Sequence, residues 1–143
     1  MSIVFLGLGS NLGNRAKNLH QAIELLEKNK IQTLKSSSII ETEPVGGPPQ
    51  NKYLNAVVMA ETTLTPFKLL NLIQTIEKQL GRVRVVANGP RTIDIDILLY
   101  DDITFDSPQL TIPHPRMRER DFVMTPLNEI APNILKELSN ARR

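Results

Sequence analysis

The segment Thr92-Ile-Asp-Ile-Asp-Ile-Leu-Leu-Tyr100 sets the tightest constraint on what this chain can fold into. Its period of two is that of a β-strand, which places Ile93, Ile95, Ile97 and Leu99 on a core face and Asp94 and Asp96 together on the opposite one. Aspartate is depleted in strands, and two like charges on one strand face repel. A magnesium site resolves the conflict, because Mg²⁺ takes one or two protein carboxylates and fills its other positions with water and substrate phosphates. A solvated sheet face carrying two charges is the plainer alternative.

The elements around this strand fix the fold class. Ile3-Val-Phe-Leu-Gly-Leu-Gly9 reads as a buried strand running into a turn at Ser10-Asn-Leu-Gly13. Asn14 then caps a helix whose Ala16, Leu19, Ala22, Ile23 and Leu26 recur at helical spacing. Thr33 to Thr42 is a second strand, and Pro44-Val-Gly-Gly-Pro-Pro49 is a loop. Tyr53 to Thr62 is a third strand, with Leu54, Ala56, Val58 and Ala60 on one face and Tyr53, Asn55, Val57 and Met59 on the other. Thr65-Pro66 starts a helix with Phe67, Leu70, Ile73, Ile76 and Leu80 as its buried stripe, ended by Gly81. Ile93 to Tyr100 is the fourth strand. The order β-α-β-β-α-β predicts an α+β, ferredoxin-like antiparallel sheet with helices on one face. Residues 101 to 143 add C-terminal pieces, including a helical turn around Leu127 to Ile130. No repeat or linker divides the chain, so one domain over 1–143 is expected.

Charge is segregated by residue type. Arg82, Arg84, Arg91, Arg116, Arg118 and Arg120 share the stretch 82–120 with no lysine, and every aspartate lies at or after position 94. Arginine offers a planar fork for phosphate and aspartate a short carboxylate for hard cations. With 17 Lys+Arg against 15 Asp+Glu the net charge is only +2, which argues against a dedicated polyanion binder. The absence of cysteine excludes disulfides, thiolate metal sites and a cysteine nucleophile. No apolar run is long enough for a membrane span and no secretory leader pattern opens the chain, which predicts a soluble, cytoplasmic monomer.

Arginines beside a carboxylate pair are the kit for a triphosphate: metal bridges phosphates while guanidinium groups offset charge that spreads in the transition state. Pro113-His114-Pro115 adds an imidazole on a stiff segment next to Arg116, Arg118 and Arg120; it either faces phosphate or satisfies loop backbone. Gly7-Leu-Gly-Ser-Asn-Leu-Gly13 resembles a dinucleotide fingerprint but places its third glycine one residue too far, and no G-x-x-x-x-G-K-[ST] loop is present. Tyr53, Asn55 and Phe122 can sandwich a flat heterocycle and read its edge, or merely pack. His20 reads as plain helix surface.

Gly9-Ser-Asn-Leu-Gly13, Tyr53-Leu-Asn55, Gly89-Pro-Arg-Thr-Ile-Asp-Ile-Asp-Ile97, Pro113-His114 and Arg120-Asp-Phe122, in this order, resemble the 6-hydroxymethyl-7,8-dihydropterin pyrophosphokinases of folate biosynthesis. The resemblance spans almost the whole chain. It implies transfer of the β,γ-pyrophosphoryl group of ATP to the hydroxymethyl oxygen of the pterin, leaving AMP. By matching motif positions it implies that Asp94 and Asp96 hold two Mg²⁺ ions and that Arg82 and Arg91 line the phosphates. Arg91, His114 and Arg120 would be the main electrostatic partners, with Asp94 able to take the hydroxyl proton. Gln74, Glu77, Arg84, Ile97 and Thr111 correspond to positions near the nucleotide. Thr42, Val45, Tyr53, Asn55 and Phe122 would form the pterin pocket, the ring stacked between Tyr53 and Phe122. The family commonly carries an Arg-Trp pair just before Gly-Pro-Arg, where this chain has Val85-Val-Ala-Asn88.

Three other functions fit parts of the pattern. A palm-like nucleotidyl transferase also places paired aspartates on such a sheet, but it releases pyrophosphate and needs a nucleic-acid track. An RNA-recognition module shares the element order yet requires aromatics interleaved with basic residues. A non-catalytic small-ligand domain explains the fold and leaves the aspartate pair unexplained.

Overall fold

In a computed structural model, which describes residues 1–82 and 89–141, the apolar alternation of the first segment becomes β1 (Ser2–Ser10), with Val4, Leu6 and Leu8 pointing to one side. Arg84 and the segment 85–88, on which expectations were placed above, lie outside the described residues. The chain continues through α1 (Arg15–Lys28), β2 (Gln32–Ser36), β3 (Ile40–Thr42), β4 (Tyr53–Thr62), α2 (Pro66–Gln79) and β5 (Asp94–Tyr100). A short hairpin, β6 (Phe105–Asp106) and β7 (Thr111–Ile112), precedes a 3-10 turn (Met117–Glu119), α3 (Asp121–Ile130) and α4 (Ile134–Ala141). The main sheet has the order β2-β4-β1-β5, with β3 also paired to β4, and every pairing is antiparallel.

Two apolar layers hold the sheet. Leu19, Ala22 and Leu26 of α1 and Leu69, Ile73 and Ile76 of α2 pack with Val4, Leu6, Leu8, Val58, Ala60, Ile95 and Ile97. Each such fully buried Leu or Ile contributes about 1.5–3 kcal/mol. The opposite face carries Phe5, Val57 and Leu99 against Met117, Val123 and Leu127, the last two from α3. The molecule is therefore an α+β fold, an antiparallel sheet with α1 and α2 on one face and α3 on the other.

Several local expectations are corrected. The strand expected over Thr33 to Thr42 is split: Ser37 interrupts it, its N–H donating to the Val57 carbonyl at 2.9 Å and its Oγ accepting from the Val57 N–H at 2.8 Å. Ser38 then binds Glu129 of α3 through N–H and Oγ, at 2.8 and 2.6 Å. Leu99 does not share a face with Ile97, because the β1–β5 register shifts between Phe5 and Leu6 and makes Leu98 the extra residue of a bulge. Leu98 and Leu99 both pack in the second layer, and Tyr100 returns to the first.

The helices differ from expectation at their margins. Asn14 caps α1 as read, its side chain accepting from the Lys17 N–H at 3.1 Å, whereas Ala16 is exposed. Thr65 occupies the cap position of α2 without a side-chain cap hydrogen bond. Leu69 and Glu77 join Ile73 and Ile76 on the buried face of α2, while Phe67 is 43% exposed and meets Phe105 edge-on at 5.1 Å. The turn expected at Leu127 to Ile130 is the end of α3, which runs through Pro126. Proline removes one helical hydrogen bond, and burial of Val123, Pro126 and Leu127 offsets that loss.

Candidate active site

Two glycines organise the exposed end of the sheet. In the β1–β5 register Gly9 lies opposite Asp94 and Gly7 opposite Asp96; across β4 the same glycines face Asn55 and Val57. Directly opposed residues share a face, so Asp94, Gly9 and Asn55 form one row and Asp96, Gly7 and Val57 the next. With no side chain at either glycine, the floor between the aspartates and Asn55 is bare backbone. A Cβ on Gly9 would sit 2.8 Å from Asn55 Oδ1 and 3.4 Å from Tyr53 Cδ1.

Over this floor opens a cleft of about 280 Å³. Thr42, Val45, Tyr53 and Asn55 line one side, Arg91, Asp94 and Asp96 the other, and Arg120 and Phe122 close it from the start of α3. Thr42 lies opposite Tyr53 in the β3–β4 pair, and its Oγ1 accepts from Asn55 Nδ2 at 2.5 Å. The Arg120 guanidinium stands 5.5 Å from the centre of the Phe122 ring, within cation–π range. Val45, on the loop between β3 and β4, is 72% exposed.

Among the described residues, Gln74, Glu77, Arg82, Ile97, Thr111 and His114 are not part of the cleft lining. Arg82 and Glu77 stand behind Asp94: Arg82 Nη1 donates to Asp94 Oδ1 at 3.0 Å and also pairs with Glu77 Oε2, which accepts from the Ile95 N–H at 3.0 Å. Arg91 Nη1 donates to Asp94 Oδ2 at 3.2 Å, so both Asp94 oxygens are engaged. Ile97 is buried in the layer under α1 and α2, Gln74 is exposed on α2, and Thr111 is half-buried on β7. His114 is half-buried beside the cleft and donates its backbone N–H to the Leu98 carbonyl at 3.0 Å.

Burial dominates the electrostatics. It pushes the Glu77 carboxyl up, against the opposing pull of the Ile95 N–H and Arg82. It pushes the Tyr53 phenol up as well. His114 is held below the usual imidazole range by burial and then by the Arg120 charge. Asp96 is pushed up to about 7, first by burial and then by the Asp94 and Glu77 charges, with Arg120 and Arg91 opposing.

Among the described residues no hydrogen bond or ion pair reaches the Asp96 carboxylate, and Arg120 and Arg91 act on it only from a distance. No group of three or more His, Cys, Asp or Glu gathers among the described residues, so they form no all-protein cage. Two oxygen donors with an unmet negative charge fit a hard divalent cation that draws its other ligands from phosphate and water.

Several residues of the cleft were missed. Gly7 and Gly9 form its floor, Glu43, Pro44, Gly46 and Gln50 extend the loop wall, and Arg116 reaches its rim. The run Arg116, Arg118, Arg120 was visible, but spacing alone does not say which arginine turns inward. The glycines' signal is their period-two placement on a strand, which puts both on one face.

Residues 5–132 match the family model described as 7,8-dihydro-6-hydroxymethylpterin-pyrophosphokinase (HPPK). The 2-amino-4-hydroxy-6-hydroxymethyldihydropteridine pyrophosphokinase of Bacillus subtilis (strain 168) is 48% identical over 141 residues, 98% of this chain and 84% of that protein. Its namesake from Aquifex aeolicus (strain VF5) is 44% identical over 135 residues, 94% of this chain and 84% of the other. Among solved structures, the wild-type HPPK-DHPS of Plasmodium falciparum with pterin and p-hydroxybenzoate shares the fold, with a TM-score of 0.74 at 20% identity over 92% of this chain and 40% of that one. By the family match over most of its length and its near-complete alignment with bacterial relatives, this chain belongs to the HPPK family.

Proposed function

We propose that this chain transfers the β,γ-pyrophosphoryl group of ATP to the hydroxymethyl oxygen of 6-hydroxymethyl-7,8-dihydropterin and releases AMP. The observation that carries the reading is that one cleft is lined both by Asp94, Asp96, Arg91 and Arg120 and by Tyr53, Asn55 and Phe122. The strand order β2-β4-β1-β5 with α1 and α2 on one face supports a ferredoxin-like frame for that cleft.

In this reading the pterin ring stacks between Tyr53 and Phe122, with Asn55 and Thr42 on its polar edge and Val45 over it. The hydroxymethyl oxygen attacks the β-phosphorus, the bond from that phosphorus to the oxygen bridging it to the α-phosphate breaks, and AMP leaves with that oxygen. Such an in-line displacement needs positioning and charge neutralisation and no covalent nucleophile. Asp94 and Asp96 would hold Mg²⁺, two ions in this reading, which when bound offsets phosphate charge and orients the chain for attack. Arg91 and Arg120 supply fixed positive charge from the protein side, and the half-buried His114 stands beside them. Arg82 is held by Glu77 and keeps Asp94 in place, so Glu77 acts behind the site rather than against a ligand. Both Asp94 oxygens already accept from guanidinium groups, and the hydroxyl proton goes to solvent.

The test is incubation with ATP, Mg²⁺ and hydroxymethyldihydropterin while the nucleotide products are followed by chromatography. AMP must appear one for one with the pyrophosphorylated pterin. ADP, free pyrophosphate or no turnover refutes the reading.

A further inference from the structure

Asn11 is a polar residue with 1% of its surface exposed, and its partners come from two distant segments. Its Oδ1 accepts from the Arg91 N–H at 2.8 Å, and its own backbone N–H donates to the Arg91 carbonyl at 3.1 Å. Its Nδ2 donates to Gln50 Oε1 at 2.8 Å and to the Asn51 carbonyl at 3.0 Å. A carboxamide offers an acceptor oxygen with two lone pairs and two N–H donors, and here both donors and one lone pair are engaged. The two bonds to Arg91 grip both faces of one residue's backbone and extend the β1–β5 pairing beyond Gly9 and Asp94. The two donors fasten the far end of the loop between β3 and β4.

Both fastened segments are walls of the cleft. Arg91 stands on the carboxylate side, and Glu43, Val45 and Gln50 line the loop side. The loop itself is built from Gly46 and Gly47, both at positive φ (72° and 74°), followed by Pro48 and Pro49. Asn11 joins it to the other wall. Buried hydrogen-bonded groups are costly to leave unmet, so moving either segment away from Asn11 strands a donor or an acceptor.

We propose that Asn11 is a positioning residue that holds the phosphate-binding and heterocycle-binding walls at one spacing, so that a ligand ordering one wall favours binding at the other. The inference rests on the function proposed above. Coupling of this kind is reciprocal: each ligand tightens the other by the same factor.

The experiment is calorimetric titration of 6-hydroxymethyl-7,8-dihydropterin with and without saturating Mg²⁺ and α,β-methylene-ATP. It is run on the wild type, Asn11→Ala, Asn11→Asp and Gln50→Ala, with thermal unfolding to confirm folding. The ratio of the two dissociation constants is the readout, because a direct contact or a merely structural defect changes both constants and cancels. The wild type shows a ratio well above one. Asn11→Ala brings it down at least tenfold, and Asn11→Asp, which keeps the acceptor for Arg91 and loses both donors, falls between. Gln50→Ala leaves Asn11 in place, loosens one donor arm and lowers the ratio several-fold even should Asn11→Ala fail to fold. An unchanged ratio in the folded variants, or a ratio of one in the wild type, overturns the inference. A wild type that binds neither ligand overturns the functional reading and this inference with it.

Discussion

Replacing Gly9 by alanine separates binding from stability. The added Cβ would lie 2.8 Å from Asn55 Oδ1 and 3.4 Å from Tyr53 Cδ1. An ordinary contact begins near 3.4 Å, so the Asn55 carboxamide must retreat by several tenths of an ångström. Its freedom is small, because Asn55 is 5% exposed and its Nδ2 is tied to Thr42 Oγ1 at 2.5 Å. Displacing that amide puts about 1–3 kcal/mol of hydrogen bonding at risk. Against this, alanine narrows the unfolded ensemble and stabilises a strand position by about 0.4–1 kcal/mol where the backbone is compatible. Gly9 does not sit at positive φ, so that gain is available. The two effects offset in the free protein, and Tm should move by only a few degrees. They do not offset in the complex, where the ligand needs Asn55 in its original place. At about 1.4 kcal/mol per tenfold, KM for the pterin should rise roughly 5- to 100-fold while KM for ATP changes by less than about twofold. Steady-state kinetics with each substrate varied in turn, beside a thermal melt, decides the matter. An unchanged pterin KM, or equal losses for both substrates, refutes the steric role of the glycine floor.

Asp96→Asn should abolish turnover and yet stabilise the metal-free protein at pH 8. A carboxyl raised from 3.8 to about 7 binds more protons folded than unfolded, so its charge destabilises the fold progressively as pH rises from about 4 to 7. At about 1.4 kcal/mol per unit this is of order 4 kcal/mol, and the Tm gap between variant and wild type should open with pH and shrink on adding Mg²⁺; a gap indifferent to both pH and Mg²⁺ contradicts the metal assignment. His114 is held below 6.5 by burial and Arg120, so the folded state binds its proton less readily than the unfolded one, and the residue's effect on stability grows unfavourable as pH falls below 6.5. Nitrogen-15 NMR at pH 6.5 should show the neutral ring in excess of the imidazolium; an excess of imidazolium contradicts the lowering by burial and Arg120.

What sequence alone revealed depended on where each residue's partners lie along the chain. Asp94 and Asp96 were legible as one face because their evidence is the strand's own period, and Tyr53 and Asn55 were legible for the same reason. Leu99 was misplaced because the bulge at Leu98 comes from pairing with Phe5 and Leu6, more than ninety residues away, and a period read along one strand is blind to it. Pro126 concealed the length of α3, since a lost hydrogen bond is visible in sequence and the burial of Val123 and Leu127 that offsets it is not. Gly7 and Gly9 were weighed as part of a phosphate loop, the one local use for such a pair. Their place in the cleft follows from what stands opposite them, Asp94 and Asp96 on one flank and Asn55 and Val57 on the other. Asn11 is the extreme case, with partners 39, 40 and 80 residues away in sequence. A residue type that presents a charge announces its chemistry wherever it sits. Residues that provide absence, as Gly9 does, or a junction, as Asn11 does, carry meaning only through register, and register belongs to the folded sheet.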